Sequence, residues 1–168
     1  MARIGVIYGS TTGNTRDVCD KLTAAFAADA VDMLDVAEID VDDLEPYTNL
    51  IFAVSTWGAG DLQDDWEEFY PHLDDVSLSG KKVAIMGIGD QSNYPDTFAD
   101  AVSILADKVA ERNGELVGKT IPEGYTYQFS RAERDGKLLG LILDEDNQAD
   151  LTDGRIKSWA DQLRKEFV

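Results

Sequence analysis

The stretch "RIGVIYGSTTGNT", residues 3–15, joins an apolar run to a polar turn and then to a helical pattern. The run "RIGVIYG" predicts a buried strand, and the apolar spacing that follows predicts a helix from Thr15 to Ala28. A strand that leads directly into a helix is the repeating unit of parallel α/β sheets. This stretch therefore predicts the fold class that the rest of the chain extends.

Apolar runs and helical patterns alternate along the remaining sequence. Further strands are predicted at "VDMLDV" (31–36), "NLIFAVS" (49–55) and "KKVAIMGIG" (81–89), with an acidic connector at "DVDDLEPY" (40–47). Further helices are predicted at "DDWEEFYPHL" (64–73), from Asp96 to Asn113 with Gly114 closing it, and from Thr152 to Phe167.

The fifth strand is predicted to be interrupted. The apolar runs "ELVGKTI" and "KLLGLIL" are separated by a polar segment that contains Pro122, Gly124 and Gly136. We interpret residues 122–137 as an insertion that splits one strand. The expected fold is one α/β domain over residues 1–168, a five-stranded parallel, doubly wound sheet with helices on both faces.

The formal net charge is −18, which excludes nucleic acid as a partner because binding it requires basic patches. No run approaches the roughly 20 apolar residues that span a bilayer, so no membrane insertion is expected. The start of the chain lacks a secretory signal and Cys19 is the single cysteine, so a cytoplasmic location is expected. The negative charge is explained either by solubility or by steering toward a basic protein partner, and charge alone does not decide between the two.

The turn "YGSTTGNT", residues 8–15, lies where helix N–H groups favour an anion. Its spacing excludes a Walker A loop, and the dinucleotide pattern G-x-G-x-x-G is absent. Capping of the following helix is the alternative role for its hydroxyl groups. We favour phosphate binding because Ser10, Thr11, Thr12 and Thr15 exceed what capping needs.

Two more loops follow predicted strands at the same end of the sheet, where such folds bind ligands. The loop after the third strand carries Trp57, and the loop after the fourth strand carries Tyr94. Packing in the core is the alternative for Trp57, and a half-exposed turn position is the alternative for Tyr94. The three loops together would suit a flat aromatic ligand with a terminal phosphate.

The motifs "GSTTGNT", "STWGAGDLQDDWEEFYPHL", "GIGDQSNYPDTFADAV" and "GLILDEDNQADLTDGRIKSW" resemble those of flavodoxins, and the split fifth strand resembles the long-chain group. The resemblance implies the strand order 2-1-3-4-5 and FMN bound without a covalent link. It implies phosphate contacts from the first loop and ring contacts from Trp57 and Tyr94. The implied cofactor-binding residues are Ser10, Thr11, Thr12, Gly13, Asn14, Thr15, Ser55, Thr56, Trp57, Gly58, Ala59, Gly60, Ile88, Gly89, Asp90, Tyr94, Thr97 and Asp146.

The resemblance also implies function as a monomeric, low-potential one-electron carrier. No catalytic constellation is expected, since His72 lies apart from the loops and Cys19 falls on a helix face. The sequence contains no Cys/His cluster of the kind that binds a metal, so no metal site is expected. The implied partners are basic redox proteins, such as a flavodoxin/ferredoxin–NADP reductase, and low-potential acceptors.

Two alternatives share this architecture. An FMN-dependent NAD(P)H or quinone oxidoreductase would need an open ring face, which Trp57 and Tyr94 are expected to cover. A signalling receiver domain would need acidic residues after the first and third strands, where "YGSTTG" and "STWGAG" stand. The acidic residues 61–68 are explained either by a solvated helix face or by a docking rim for a basic partner.

Overall fold

The computed structural model of the chain describes residues 1–27 and 30–168. In chain order the strands are β1 (Ile4–Tyr8), β2 (Val31–Asp35), β3 (Asn49–Trp57), β4 (Asp61–Leu62), β5 (Lys82–Ile88), β6 (Glu115–Leu116), β7 (Glu133–Arg134), β8 (Lys137–Leu138) and β9 (Leu141–Leu143). The α-helices are α1 (Asn14–Phe26), α2 (Asp64–Phe69), α3 (Ala101–Glu111) and α4 (Ala149–Glu166), and 3-10 helices span Val41–Leu44 and Tyr70–Asp75. The predicted end of the first helix, Ala28, lies outside the described residues.

The main sheet is parallel and follows the order β2-β1-β3-β5, with β6 and β9 both pairing with β5. Its central strands are apolar because both of their faces are covered. Helices α1 and α4 pack on one face, and α2 and α3 pack on the other. The predicted doubly wound sheet of order 2-1-3-4-5 is confirmed.

The fifth strand is split as the sequence indicates. β6 pairs with the start of β5 at Lys82 and Val83, whereas β9 pairs with its end from Met86 to Ile88. Between them, β7 and β8 form a small antiparallel hairpin. The Tyr125 hydroxyl donates to the Ile142 carbonyl (2.6 Å), so the inserted segment occupies a hydrogen-bonding position beside β9.

Helix α3 begins later than predicted, at Ala101 and not at Asp96. Residues 95–100 form turns because Ala99 has a φ of 54°, which an α-helix cannot contain. Phe98, which falls within the predicted helix, is instead buried in this turn and stacks on Tyr127 with ring centroids 5.1 Å apart. At the other end the left-handed residue is Asn113 (φ 68°), not the predicted Gly114.

Within the described parts of the chain, no helix is both long enough and apolar enough to cross a membrane. The longest, α4, alternates polar and apolar faces and buries Ile156, Trp159 and Leu163 against the sheet.

Candidate functional site

The three predicted loops meet in a cavity of about 220 Å³ at the carboxyl ends of β1, β3 and β5. Every residue that lines it is among the predicted cofactor contacts, which shows that the sheet topology brings these distant segments together. The lining residues are Thr11, Thr12, Asn14, Thr15, Ser55, Thr56, Trp57, Gly58, Ile88, Gly89, Asp90, Tyr94 and Asp146. The predicted residues outside the lining are Ser10, Gly13, Ala59, Gly60 and Thr97.

The turn between β1 and α1 leaves its helix N-terminus open to the cavity. Gly13, in the left-handed region at φ 90°, occupies the N-cap position and so provides no side-chain cap. Ser10 is used within the turn, since its Oγ accepts from the Gly13 N–H (3.0 Å). The uncapped N–H groups of the first turn and the exposed hydroxyls of Thr11 and Thr12 form a donor set suited to phosphate.

Gln63 holds this turn through a hydrogen bond to Thr11, a role that was not predicted from the sequence. Its fully buried side chain donates from Nε2 to Thr11 Oγ1 (2.9 Å) and accepts at Oε1 from the Trp66 N–H (3.3 Å). Gly9 lies directly on it, because a Cβ built at Gly9 would be 2.2 Å from Gln63 Oε1. The one available sequence signal was a polar residue in the N-cap position of α2.

Trp57 is the last residue of β3, not a loop residue as predicted. It pairs with Asp61 of β4 in a short antiparallel hairpin, yet 39% of it is exposed beside the cavity. Its Nε1 donates to Ser55 Oγ (2.9 Å), which fixes the orientation of the indole. Gly58 and Gly60 close the hairpin at φ 53° and 104°, where residues with a side chain are strained. Packing in the core is therefore excluded for Trp57.

Tyr94 lines the same cavity and is 46% exposed. Its N–H donates to the Asp90 carbonyl (2.9 Å), and the Asp90 carboxylate accepts from the N–H groups of Ser92 and Asn93. Partial burial acts to raise the pKa of Asp90, but these bonds and one from Asn147 Nδ2 prevail and lower it. Ionised Asp90 thus builds the turn that presents Tyr94.

Both the sequence and the fold are similar to proteins of one family. The family model described as Flavodoxin matches residues 6–159. The chain is 48% identical over 165 residues to the flavodoxin of Nostoc sp. (strain PCC 7120 / SAG 25.82 / UTEX 2576), and the match covers 98% of this chain and 97% of that protein. The chain belongs to the flavodoxin family.

More distant flavodoxins support the same assignment. Flavodoxin 1 of Azotobacter vinelandii is 40% identical over 172 residues, covering 100% of this chain and 99% of that protein. Among solved structures, Fusobacterium nucleatum flavodoxin bound to flavin mononucleotide is 31% identical with a TM-score of 0.95, and the match covers 100% of each chain. The resemblance drawn from the four motifs is confirmed.

In this member of the flavodoxin family, the cavity wall near Tyr94 is strongly negative. Carboxylate oxygens of Asp90, Asp144 and Asp146 lie within 4.8 Å of one another. Asp144 is fully buried and accepts from the Gln91 N–H (3.1 Å) and from Asn147. Burial, and then the charges of Asp90 and Asp144, raise the pKa of Asp146. This wall disfavours additional negative charge on any group beside it.

A larger cavity of about 640 Å³ lies between the inserted segment and α4. Tyr125, Leu151 and Trp159 are among the residues that line it, and no residue of the three loops contributes to it. Glu123 and Asp150 line it, and their negative charges would oppose a phosphate, so its size does not make it the better site for a phosphorylated aromatic ligand.

Proposed function

We propose that this protein is an electron carrier that binds one FMN without a covalent link in the cavity of the three loops. A single observation carries the proposal: an uncapped helix N-terminus with hydroxyl donors shares one cavity with two exposed aromatic side chains. The flavodoxin relatives and the FMN-bound neighbour support it. When bound, FMN supplies one-electron transfer, and the protein provides binding, orientation and electrostatics.

The residues present fit FMN in chemistry as well as in place. The turn from Ser10 to Thr15 would hold the phosphate through N–H and hydroxyl donors. Trp57 and Tyr94 would flank the ring on its two faces and exclude water. Further contacts are proposed from Ser55, Thr56, Gly58, Ala59 and Gly60 to the ring and ribityl chain, from Ile88, Gly89 and Asp90 to the pyrimidine edge, from Asp146 near the ribityl end, and from Thr97.

The negative wall gives this site a low potential. A bound flavin that carried a negative charge in its reduced form would lie in the field of the Asp90, Asp144 and Asp146 carboxylates, which would oppose that charge. About 1.4 kcal/mol of such opposition lowers a one-electron potential by about 59 mV. An oxidoreductase would also need a free ring face for its substrate, which Trp57 and Tyr94 would occupy, so the carrier role is favoured.

We further propose that the partners are basic redox proteins, such as a flavodoxin/ferredoxin–NADP reductase, together with low-potential acceptors in the cytoplasm. The hairpin that holds Trp57 is bordered by the exposed carboxylates of Asp61, Asp64, Glu67 and Glu68. A basic partner drawn to this rim would reach the cavity where Trp57 is exposed.

The carrier role is tested by reduction kinetics of the FMN-loaded protein. NADPH alone should reduce it negligibly, and a basic ferredoxin–NADP reductase should reduce it rapidly. The second-order rate constant is expected to fall at least about tenfold between roughly 0.01 and 0.3 M salt, because exposed charges are screened. Stopped-flow absorbance at the flavin band measures both results.

A matched pair of double variants tests whether the salt dependence of the rate arises from the acidic rim. Glu67→Gln/Glu68→Gln removes two rim charges and should flatten the salt dependence. Asp42→Asn/Glu45→Gln removes two exposed charges near the amino ends of the strands, where Lys81 Nζ donates to the Glu45 carbonyl (3.0 Å), and should leave it unchanged. Rapid oxidation of NADPH without reductase would contradict the carrier role. Rates that do not depend on salt would contradict docking at the rim and would leave solubility as the explanation of the negative charge.

A further inference from the structure

The inserted segment is hydrogen-bonded to the turn that precedes α3. The N–H groups of Gln128 and Phe129 donate to the Pro95 carbonyl (2.8 and 2.9 Å), and the Ser130 hydroxyl donates to the Phe98 carbonyl. The Arg131 N–H donates to Asp100 Oδ1 (2.8 Å). The insertion therefore holds residues 95–100 at several points.

The same turn contacts the hairpin that carries Trp57. The Asp100 side chain lies against Gly60, since a Cβ built at Gly60 would be 3.0 Å from both Asp100 Cβ and Oδ2. One residue further on, the Ala101 N–H donates to Thr56 Oγ1 (3.1 Å). Two contacts therefore flank Trp57: Asp100, the last residue of the turn held by the insertion, contacts Gly60, and Ala101, the first residue of α3, contacts Thr56.

We propose that Asp100 is a positioning residue for the flavin ring. Its buried carboxylate accepts a hydrogen bond from the insertion and packs against Gly60, and it thereby holds Trp57 beside the cavity. The proposal rests on the proposed function, because it concerns the ring that Trp57 would contact. It assigns to the insertion a second role besides covering β9, and it assigns a role to a residue outside the cavity lining.

The burial of Asp100 indicates that the hydrogen bond from the Arg131 N–H contributes more to holding this carboxylate in place than its negative charge does. Only 3% of the residue is exposed, and burial raises the pKa of its carboxyl. The Arg131 guanidinium is a weak partner, with Nε 4.0 Å from Asp100 Oδ2 and 73% of its side chain exposed. The Arg131 N–H is the short, shielded contact, so an isosteric amide should replace the carboxylate.

Asp107 provides a matched control on the same helix region. Its carboxylate accepts from Arg134 Nη1 and Nη2 (2.7 and 3.1 Å), so it also links the insertion to α3. It contacts none of the cavity-lining residues through these bonds. Asp107→Ala removes a link to the insertion without touching Gly60.

Asp100→Ala is expected to raise the dissociation constant of FMN at least about tenfold, whereas Asp107→Ala leaves it unchanged. Asp100→Asn should restore binding to within about threefold, because its Oδ1 accepts the same bond. Amide hydrogen exchange of residues 57–62 should be faster in Asp100→Ala than in Asp107→Ala, with and without FMN. Equal dissociation constants and equal exchange in the two alanine variants would overturn the proposal.

A second pair removes the donor and leaves Asp100 in place. The Glu133 N–H donates to the Ser130 carbonyl (3.2 Å), which makes Arg131 the second residue of a tight turn, a position that favours proline. Arg131→Pro removes the N–H and should weaken FMN binding like Asp100→Ala, whereas Arg131→Ala keeps the N–H and should not. Should wild-type protein bind FMN while all variants match it, this inference alone fails; should wild-type protein not bind FMN, the proposed function fails with it.

Discussion

Replacing Trp57 with alanine is expected to weaken FMN binding by about 10- to 100-fold, since stacking of a flat heterocycle on an aromatic side chain contributes about 1–3 kcal/mol. Trp57 is held at the end of β3 by its pairing with Asp61 and by the bond from its Nε1 to Ser55. Its indole is therefore already oriented before any ligand binds. Quenching of FMN fluorescence by the apoprotein measures the dissociation constant directly.

Matched variants separate stacking from a general loss of structure. Trp57→Phe keeps a flat ring and should lose less affinity than Trp57→Ala, and Tyr94→Ala should also weaken binding. Since Trp57 is 39% exposed, the free energy of unfolding of the apoprotein should change little in these variants. Unchanged affinity in both alanine variants would refute the proposed ring site.

Gly140→Ala is expected to lower the free energy of unfolding by about 3 kcal/mol or more. A Cβ at Gly140 would be 1.9 Å from the Ile85 carbonyl oxygen, a backbone atom in the central strand β5 that cannot move aside. The close approach, and not an unusual φ, requires glycine where the inserted segment rejoins the sheet. Urea unfolding of the apoprotein followed by circular dichroism measures the change.

Gly154 supplies the control for this prediction. It lies within α4, and a Cβ built there meets no atom within 4 Å. Gly154→Ala should therefore stabilise the protein by about 0.5–1 kcal/mol through helix propensity alone. A loss of less than about 1 kcal/mol in Gly140→Ala would show that β9 can shift away from β5 at little cost.

The sheet could be predicted from sequence because its strands are buried on both faces and so appear as continuous apolar runs. The start of α3 could not, because the positive φ of Ala99 arises where Phe98 turns inward to stack on Tyr127. Helical spacing continues through this point in the sequence, and the stacking partner comes from the insertion nearly thirty residues later. Tertiary packing here overrides local preference.

The cavity lining could be predicted because parallel strands place their carboxyl ends together, which brings the loops after β1, β3 and β5 to one edge. The residues beneath the lining could not. Gln63 meets Thr11 across 52 positions of sequence, and Asp100 meets Arg131 across 31. Neither pair follows a periodic pattern, so their roles become visible only when the loops have been placed in space.

The most direct test of the central claim compares FMN with riboflavin, which has the same ring and no phosphate. Calorimetric titration of the apoprotein should give one FMN per chain. Riboflavin should bind at least about 100-fold more weakly, because hydrogen bonds to a charged group contribute about 1.5–3 kcal/mol each. Equal affinity for the two compounds, or no binding of FMN, would contradict the assignment of the turn from Ser10 to Thr15 as the phosphate site.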